Sequence, residues 1–253
     1  TPCGTLFPYT TLYRSRCFDL FGLTTEGVVQ WAREGEGSVF EKLERSQEKP
    51  DLLIVHDHWF PNLWRVVAGE ELERFVVPQP EIVTTGIVRV RQFDGSLLNT
   101  GDTPVQPQSG GDLVDELDIA DLESERAHEY RIDLAYPDHP PSSLVRESKH
   151  GDRTIADGGR GVLGSESFNI QLKAAGEFLL IVRCRTATGR VVELECDGVP
   201  VAAVEAPSSD GLVEISCSVS PPESGLTKAL TVHSWSEKQP FQPFEVYHYW
   251  VYQ

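Results

Sequence analysis

The chain has 253 residues, enough for one large β domain or two small ones with a substantial buried core. Its 39 acidic and 22 basic side chains give a formal charge of -17, a field that repels a phosphate backbone or an anionic bilayer, so no nucleic acid is expected as a partner. No stretch reaches the roughly 20 apolar residues of a membrane-spanning helix, and no basic start followed by an apolar run resembles a signal peptide.

Methionine is absent, position 1 included, so the chain is expected to be a fragment with more protein upstream of Cys17. Thr5 to Ser15, TLFPYTTLYRS, resembles the translation of a sequencing-adapter oligonucleotide, and residues 1–16 are therefore set aside as an artefactual segment. Residues 17–94 read as a small α/β unit. Thr24 or Thr25 can cap a short helix through Val28, Val29 and Trp31 that stops at Gly35 or Gly37. Ser38 with Glu41 forms a capping box for a second helix whose apolar face is Val39, Phe40 and Leu43. Asp51 to Val55, a continuous apolar run, predicts a strand buried on both faces. A third helix is expected over Asn62 to Glu73, then a strand over Ile82 to Val90.

The order FDLFGLTTEGVVQW, a short helix, KPDLLIVHDHWF, a helix and an extended return resembles the extracytoplasmic region of family 39-like and arabinofuranosyltransferase-like membrane glycosyltransferases. The residues that carry the resemblance are Asp19 to Thr24 and Pro50 to Ile54, within about 75 residues. It implies that the catalytic loops lie in a membrane part outside this chain, that the chain is extracytoplasmic, and that its partners are that upstream transmembrane region and a glycan or lipid-linked sugar.

Residues 95–156 turn rich in Gly, Pro, Ser and Asp and predict an irregular segment wrapping the rest, with one strand at His128 to Tyr136. Within it Asp112, Asp115, Glu116, Asp118, Asp121, Glu123 and Glu125 crowd one stretch. Such a stretch reads either as a solvated acidic face or as an oxygen-rich shell for calcium, although it lacks the loop of an EF-hand. Sequence spacing gives no basis for pairing Asp115 with Asp118 as hydrolytic carboxylates.

From Asp157 to Gln253 short alternating runs separated by Gly, Asp and Pro predict seven strands: Ser167 to Leu172, Glu177 to Thr186, Val191 to Cys196, Pro200 to Glu205, Leu212 to Val219, Ala229 to Ser234 and Phe244 to Tyr252. Leu194 to Val201 resembles the jelly-roll modules attached to carbohydrate-active proteins. The fold class is thus α+β: a small α/β unit followed by an antiparallel two-sheet β-sandwich, jelly-roll-like. Glu177 to Thr186 and Val191 to Cys196 are read as a hairpin over Ala187–Arg190, with Arg183, Arg185, Glu193 and Glu195 outward as a charged or covered face. Cys184, Cys196 and Cys217 fall on core faces as buried thiols, with a Cys196–Cys217 bridge left open. In the last strand one face must be core, and the other reads as covered or as an aromatic sugar platform.

The candidate ligand-binding residues are His56, Asp57, His58, Trp59 and Trp64. His-x-His places two imidazoles on one face of a strand end, and the two indoles offer flat apolar faces that suit a pyranose. No third metal ligand is near in sequence, so polar contact, catalysis and plain hydrogen bonding stay open for the histidines, and packing for the tryptophans. The expected function is a non-catalytic region that binds glycan or supports a glycosyltransferase-like parent. The alternative is a secreted carbohydrate-binding β-sandwich, and a small hydrolase using His56 and His58 is a third reading.

Overall fold

The computed structural model describes residues 29–56, 60–76, 87–105, 111–235 and 241–253. Residues 1–16 and the Asp19 to Thr24 turn lie outside them, as do residues 57–59.

The N-terminal unit comprises α1 (Val29–Arg33), α2 (Glu36–Arg45), β1 (Leu52–His56), α3 (Pro61–Val67), β2 (Ala68–Val76) and β3 (Ile87–Phe93). α2 forms as expected, with Val39, Phe40 and Leu43 buried together. Its cap differs. The helix starts at Gly35, whose φ of 94° suits glycine, and Ser38 lies inside it with a buried, unpartnered hydroxyl. Glu41 does not close a capping box but reaches away to accept the Gly158 N–H at 3.0 Å. Gly37 and Gly158 make that reach possible, because a Cβ on Gly37 would stand 2.6 Å from the Leu144 carbonyl and one on Gly158 2.8 Å from the Gly37 carbonyl. Helix α2 thereby presses directly onto the sandwich.

The third helix ends at Val67 rather than near Glu73. From Ala68 the chain pairs with β3 in the order β1-β3-β2, all antiparallel, and Glu71 meets Arg89 across the strands. Cross-strand charge pairing outcompetes the helical propensity of that Glu-rich run. β1 is not buried on both faces: Leu53 is buried but Ile54 is 53% exposed. The α3 start is capped from a distance, the Glu36 carboxylate accepting the N–H groups of Asn62 and Leu63 at 3.0 and 3.2 Å.

Residues 95–156 were expected to be irregular, yet they supply β4 (Leu113–Asp118), α4 (Leu122–Ala127), β5 (Arg131–Leu134), β6 (Ser142–His150) and the start of β7 (Arg153–Val162). The seven strands expected downstream form as β8 (Gly164–Gln171), β9 (Phe178–Arg185), β10 (Arg190–Cys196), β11 (Val199–Ala206), β12 (Val213–Val219), β13 (Thr227–His233) and β14 (Phe244–Tyr252). They make an antiparallel two-sheet sandwich. One sheet runs β11-β10-β13-β8-β5 and the other β12-β9-β14-β7-β6, with β4 beside β14. Phe168, Leu180, Val182, Leu194, Leu230 and Tyr249 are among the side chains that fill the space between them.

β9 and β10 are not a hairpin. β9 pairs β12 and β14 in one sheet, whereas β10 pairs β11 and β13 in the other, so Ala187–Gly189 is an arch between sheets. Arg190 pins the arch, donating to Thr186 Oγ1, the Ser234 carbonyl and the Gln242 carbonyl. The hairpin lies one step later, β10–β11, over Asp197 (φ 53°) and Gly198 (φ 76°), the left-handed pair that suits the twist of a two-residue turn. Asp197 also accepts from the Ala229 N–H and the buried Lys228 ammonium, each at 3.0 Å. Asp197→Ala is expected to cost about 2–3 kcal/mol, because it leaves a buried ammonium short of its anion and forces alanine into a left-handed conformation. Urea unfolding checks this, and a loss under about 0.5 kcal/mol would contradict it.

Cys184, Cys196 and Cys217 are all free, and no bridge joins Cys196 to Cys217, which stand in opposite sheets. Burial raises the Cys184 thiol to about 12 and the other two to about 11, so these are inert core groups.

Candidate functional site

Two features among the described residues are candidate sites. The first is a group of four rings on the loops that follow β5 and β13. Tyr136 stacks on Phe241 with centroids 5.3 Å apart and meets Trp235 edge-on at 6.4 Å, and His139 lies 6.0 Å from Phe241. Phe241 is 66% exposed and Trp235 36%, so apolar ring surface is presented to water at one end of the sandwich. Beside Trp235 a cleft of about 200 Å³ is lined by Asp133, Leu134, Ala135, Gly164, Ser165 and His233. Ring faces next to a carboxylate, a hydroxyl and an imidazole match a ligand with one apolar face and a hydroxyl rim.

The second is an acidic notch where the sandwich meets α2. β14 shares one edge between two strands: β7 pairs with it over Phe244–Val246, and β4 takes over from His248 to Tyr252. A bulge between Val246 and His248 marks the change. His248 lies opposite Asp118 in the register, and Asp157 sits on β7 beyond its last pair with β14. Glu41 and Glu44 of α2, together with Asn99 and Asp102, close the notch over a volume of about 440 Å³.

Carboxylates crowd here with few cations. Desolvation and neighbouring carboxylates push Glu41, Asp118 and Asp157 above their ordinary range and Glu44 to about 8. Asp157 has one cation beside it, donating Arg183 Nη1 to Oδ2 at 2.8 Å, and that guanidinium is shared with Glu214. Arg183 lies 4.7 Å over the Trp250 ring, which stacks on His248 at 4.2 Å.

The bulge also decides the last strand. Phe244, Val246, Tyr249 and Val251 enter the sandwich core, and Tyr247 packs with Ile155 and Leu212. His248 and Trp250 are covered, the Trp250 Nε1–H donating to the Asp102 carbonyl at 3.1 Å. β14 is therefore buried on both faces and offers no sugar platform. The acidic stretch is likewise mostly spoken for. Asp121 caps α4 by accepting from Glu123 and Ser124, Glu125 takes Arg160 bidentately at 2.6 and 3.0 Å, and Asp115 meets His128 at 3.1 Å. Of the calcium ligands expected between Asp112 and Glu125, Asp118 alone among the described residues joins the buried Asp157 and His248.

His56 ends β1, opposite Val88 on β3. Asp57, His58 and Trp59 lie outside the described residues. Trp64 is 8% exposed among Leu63, Val66 and Phe40, so it packs rather than stacks on a ligand. The rule that ligands gather at strand ends in α/β units holds for parallel sheets, and β1 belongs to an antiparallel one. Sequence reading passed over Tyr136, Trp235 and Phe241, each of which stands alone in a loop with no local pattern.

No protein-family model matches the chain, and no curated protein sequence matches it. Among solved structures it is similar to a carbohydrate binding module from Cellvibrio mixtus lichenase 5A in complex with cellotriose, at 9% identity over 56% of this chain and 98% of that one, TM-score 0.36. A family 36 module of a multidomain xylanase from the hindgut metagenome of Trinervitermes trinervoides aligns at 6% identity over 45% of this chain and 98% of that one, TM-score 0.32. The exo-β-1,3-galactanase of Phanerochaete chrysosporium, solved with β-1,3-galactotriose, aligns at 15% identity over 44% of this chain, TM-score 0.32, and the match spans only 27% of the galactanase. At these identities and TM-scores the likeness assigns neither a family nor a ligand to this chain.

Proposed function

We propose that the chain is a non-catalytic β-sandwich module that binds carbohydrate at the Tyr136–Trp235–Phe241 cluster. The observation that carries this reading is the exposed aromatic group beside a polar cleft of one-sugar size. An isolated sandwich gains nothing from leaving Phe241 two-thirds exposed, whereas a pyranose laid on the rings would cover that surface and turn its hydroxyls to Asp133, Ser165 and His233. Affinity electrophoresis through gels containing xylan, mixed-linkage β-glucan or β-1,3-galactan tests it. Retardation of the wild type in at least one gel, abolished in Trp235→Ala, is the expected outcome; equal mobility of both proteins in every gel would contradict it.

We further propose that this module is the extracytoplasmic end of a glycosyltransferase-like membrane protein. What supports that reading is the resemblance carried by Asp19 to Thr24 and Pro50 to Ile54. Sequencing the gene upstream of Cys17 is expected to reveal several hydrophobic spans, and an upstream region without any would overturn it while leaving the sugar-binding proposal in place.

A further inference from the structure

The notch between β4, β7, β14 and α2 holds two polar atoms without a partner. His248 is 3% exposed, and its Nε2 has no partner at hydrogen-bond distance, Glu116 Oε2 lying 3.9 Å away. Asp118 Oδ1 is buried and unpartnered too, 3.7 Å from His248 Nδ1. A buried imidazole nitrogen left unsatisfied costs about 1–3 kcal/mol, and a bound ion is one of the few things that would offset that cost. Asp157 brings the third donor, and one ligand atom from each residue lies within 4.8 Å of the other two.

We propose that Asp118, Asp157 and His248 bind a divalent transition-metal ion of the zinc or manganese type at the seam where β4 and β7 share the edge of β14. The donor set selects the class. One imidazole with two carboxylates suits zinc, manganese or cobalt, whereas calcium takes an all-oxygen shell of six to eight ligands. Donors about 2.1 Å from a common ion stand at most about 4.2 Å apart, so any pair of the three that is wider than that closes on loading. Charge argues the same way: Glu41, Glu44, Glu116 and Asp118 line the notch, its one arginine, Arg45, is paired with Asp121 and Glu123, and the Arg183 that meets Asp157 is shared with Glu214. A dication neutralises that excess without requiring the carboxyls to hold protons. The Glu41 carboxylate, bonded to the Gly158 N–H next to Asp157, then ties the helix to the loaded site.

The test uses the whole chain, stripped with chelator and dialysed at neutral pH. Calorimetric titration with zinc chloride is expected to show one site, weakened at least 100-fold in Asp118→Asn and in His248→Gln and unchanged in Asp112→Asn, whose carboxylate pairs with Lys173 at an exposed position. Should the first two variants fail to fold, cobalt(II) added to the wild type gives the decision, since four- or five-coordinate imidazole–carboxylate ligation moves the visible d–d bands to longer wavelength and makes them far stronger than the weak bands of the aquo ion. Zinc and cobalt binding neither heat nor colour would overturn the proposal. So would calcium binding in place of zinc, or zinc binding that survives undiminished in folded Asp118→Asn and His248→Gln.

Discussion

Arg183→Met is expected to cost about 3–5 kcal/mol, the range seen when one partner of a buried ionic network is removed. Arg183 has no exposed side-chain surface and donates to Asp157, Glu214 and the Thr103 carbonyl, each at 2.8 Å, and to the Gly101 carbonyl. Its loss leaves two carboxylates and two carbonyls facing an apolar side chain, and it frees the 101–105 strap that covers β14. Glu214 holds the same strap from the other side by accepting the Val105 N–H at 2.9 Å. Urea unfolding reads the effect, and the midpoint should fall far more than in Arg185→Ala. That guanidinium donates to Glu245, which keeps Arg146 and Tyr247 as partners. A loss below 1 kcal/mol would show that water replaces the guanidinium, contrary to the buried network described here.

Glu166→Gln is expected to change the pH dependence of stability in a direction opposite to that of an ordinary salt-bridged carboxylate. Glu166 is fully buried between the two sheets, where the hydroxyls of Tyr130 and Tyr249 donate to it at 2.7 and 3.3 Å, and burial raises it from 4.5 to about 7. Below the unfolded value both states hold the proton and stability is full. As pH rises from 4.5 toward 7 the unfolded chain releases the proton while the fold retains it, so stability falls, by about 3 kcal/mol in all, and then levels off. Glutamine cannot ionise. The variant should lack that slope and should exceed wild type by about 2 kcal/mol at pH 8, after allowing about 1 kcal/mol for the hydroxyl now facing an amide N–H₂. Parallel stability curves for the two proteins between pH 4.5 and 8 would contradict this account.

The strands were legible in the sequence because period-two alternation and turn residues are local signals. Val191 to Cys196 and Phe244 to Tyr252 needed nothing else. What alternation cannot carry is the partner. A four-residue link rich in turn formers looks the same whether it closes a hairpin or arches between sheets, and the contacts of Arg190 that decide the matter come from Ser234 and Gln242. Residues 95–156 misled for a related reason. β7, which begins inside this segment and runs past it, buries Asp157 and Arg160 and carries Gly158 so that α2 can approach, and such composition reads as loop until the ion pairs and the helix are known. The bulge in β14 shifted its faces in the same invisible way, placing His248 beside Asp118.

Neither candidate site was legible whole, although Asp118 stood out in the acidic stretch, because each is assembled from distant stretches. Trp235 and Phe241 lie between β13 and β14 and Tyr136 just after β5, and nothing in their neighbourhoods marks them as a surface. Trp64, conspicuous beside His56 and His58, turned out to be core, since α3 turns that side of the unit inward.

The central claim, sugar binding at the ring cluster, is tested most directly by calorimetric titration of the whole chain with whichever oligosaccharide corresponds to the retarding polysaccharide, cellotriose, xylotriose or β-1,3-galactotriose. Wild-type protein should bind one molecule, with Trp235→Ala and Phe241→Ala each weakened more than tenfold, which is at least about 1.4 kcal/mol, and Trp64→Phe unchanged. Affinity that is equal in the wild type and in both ring-cluster variants would contradict the account.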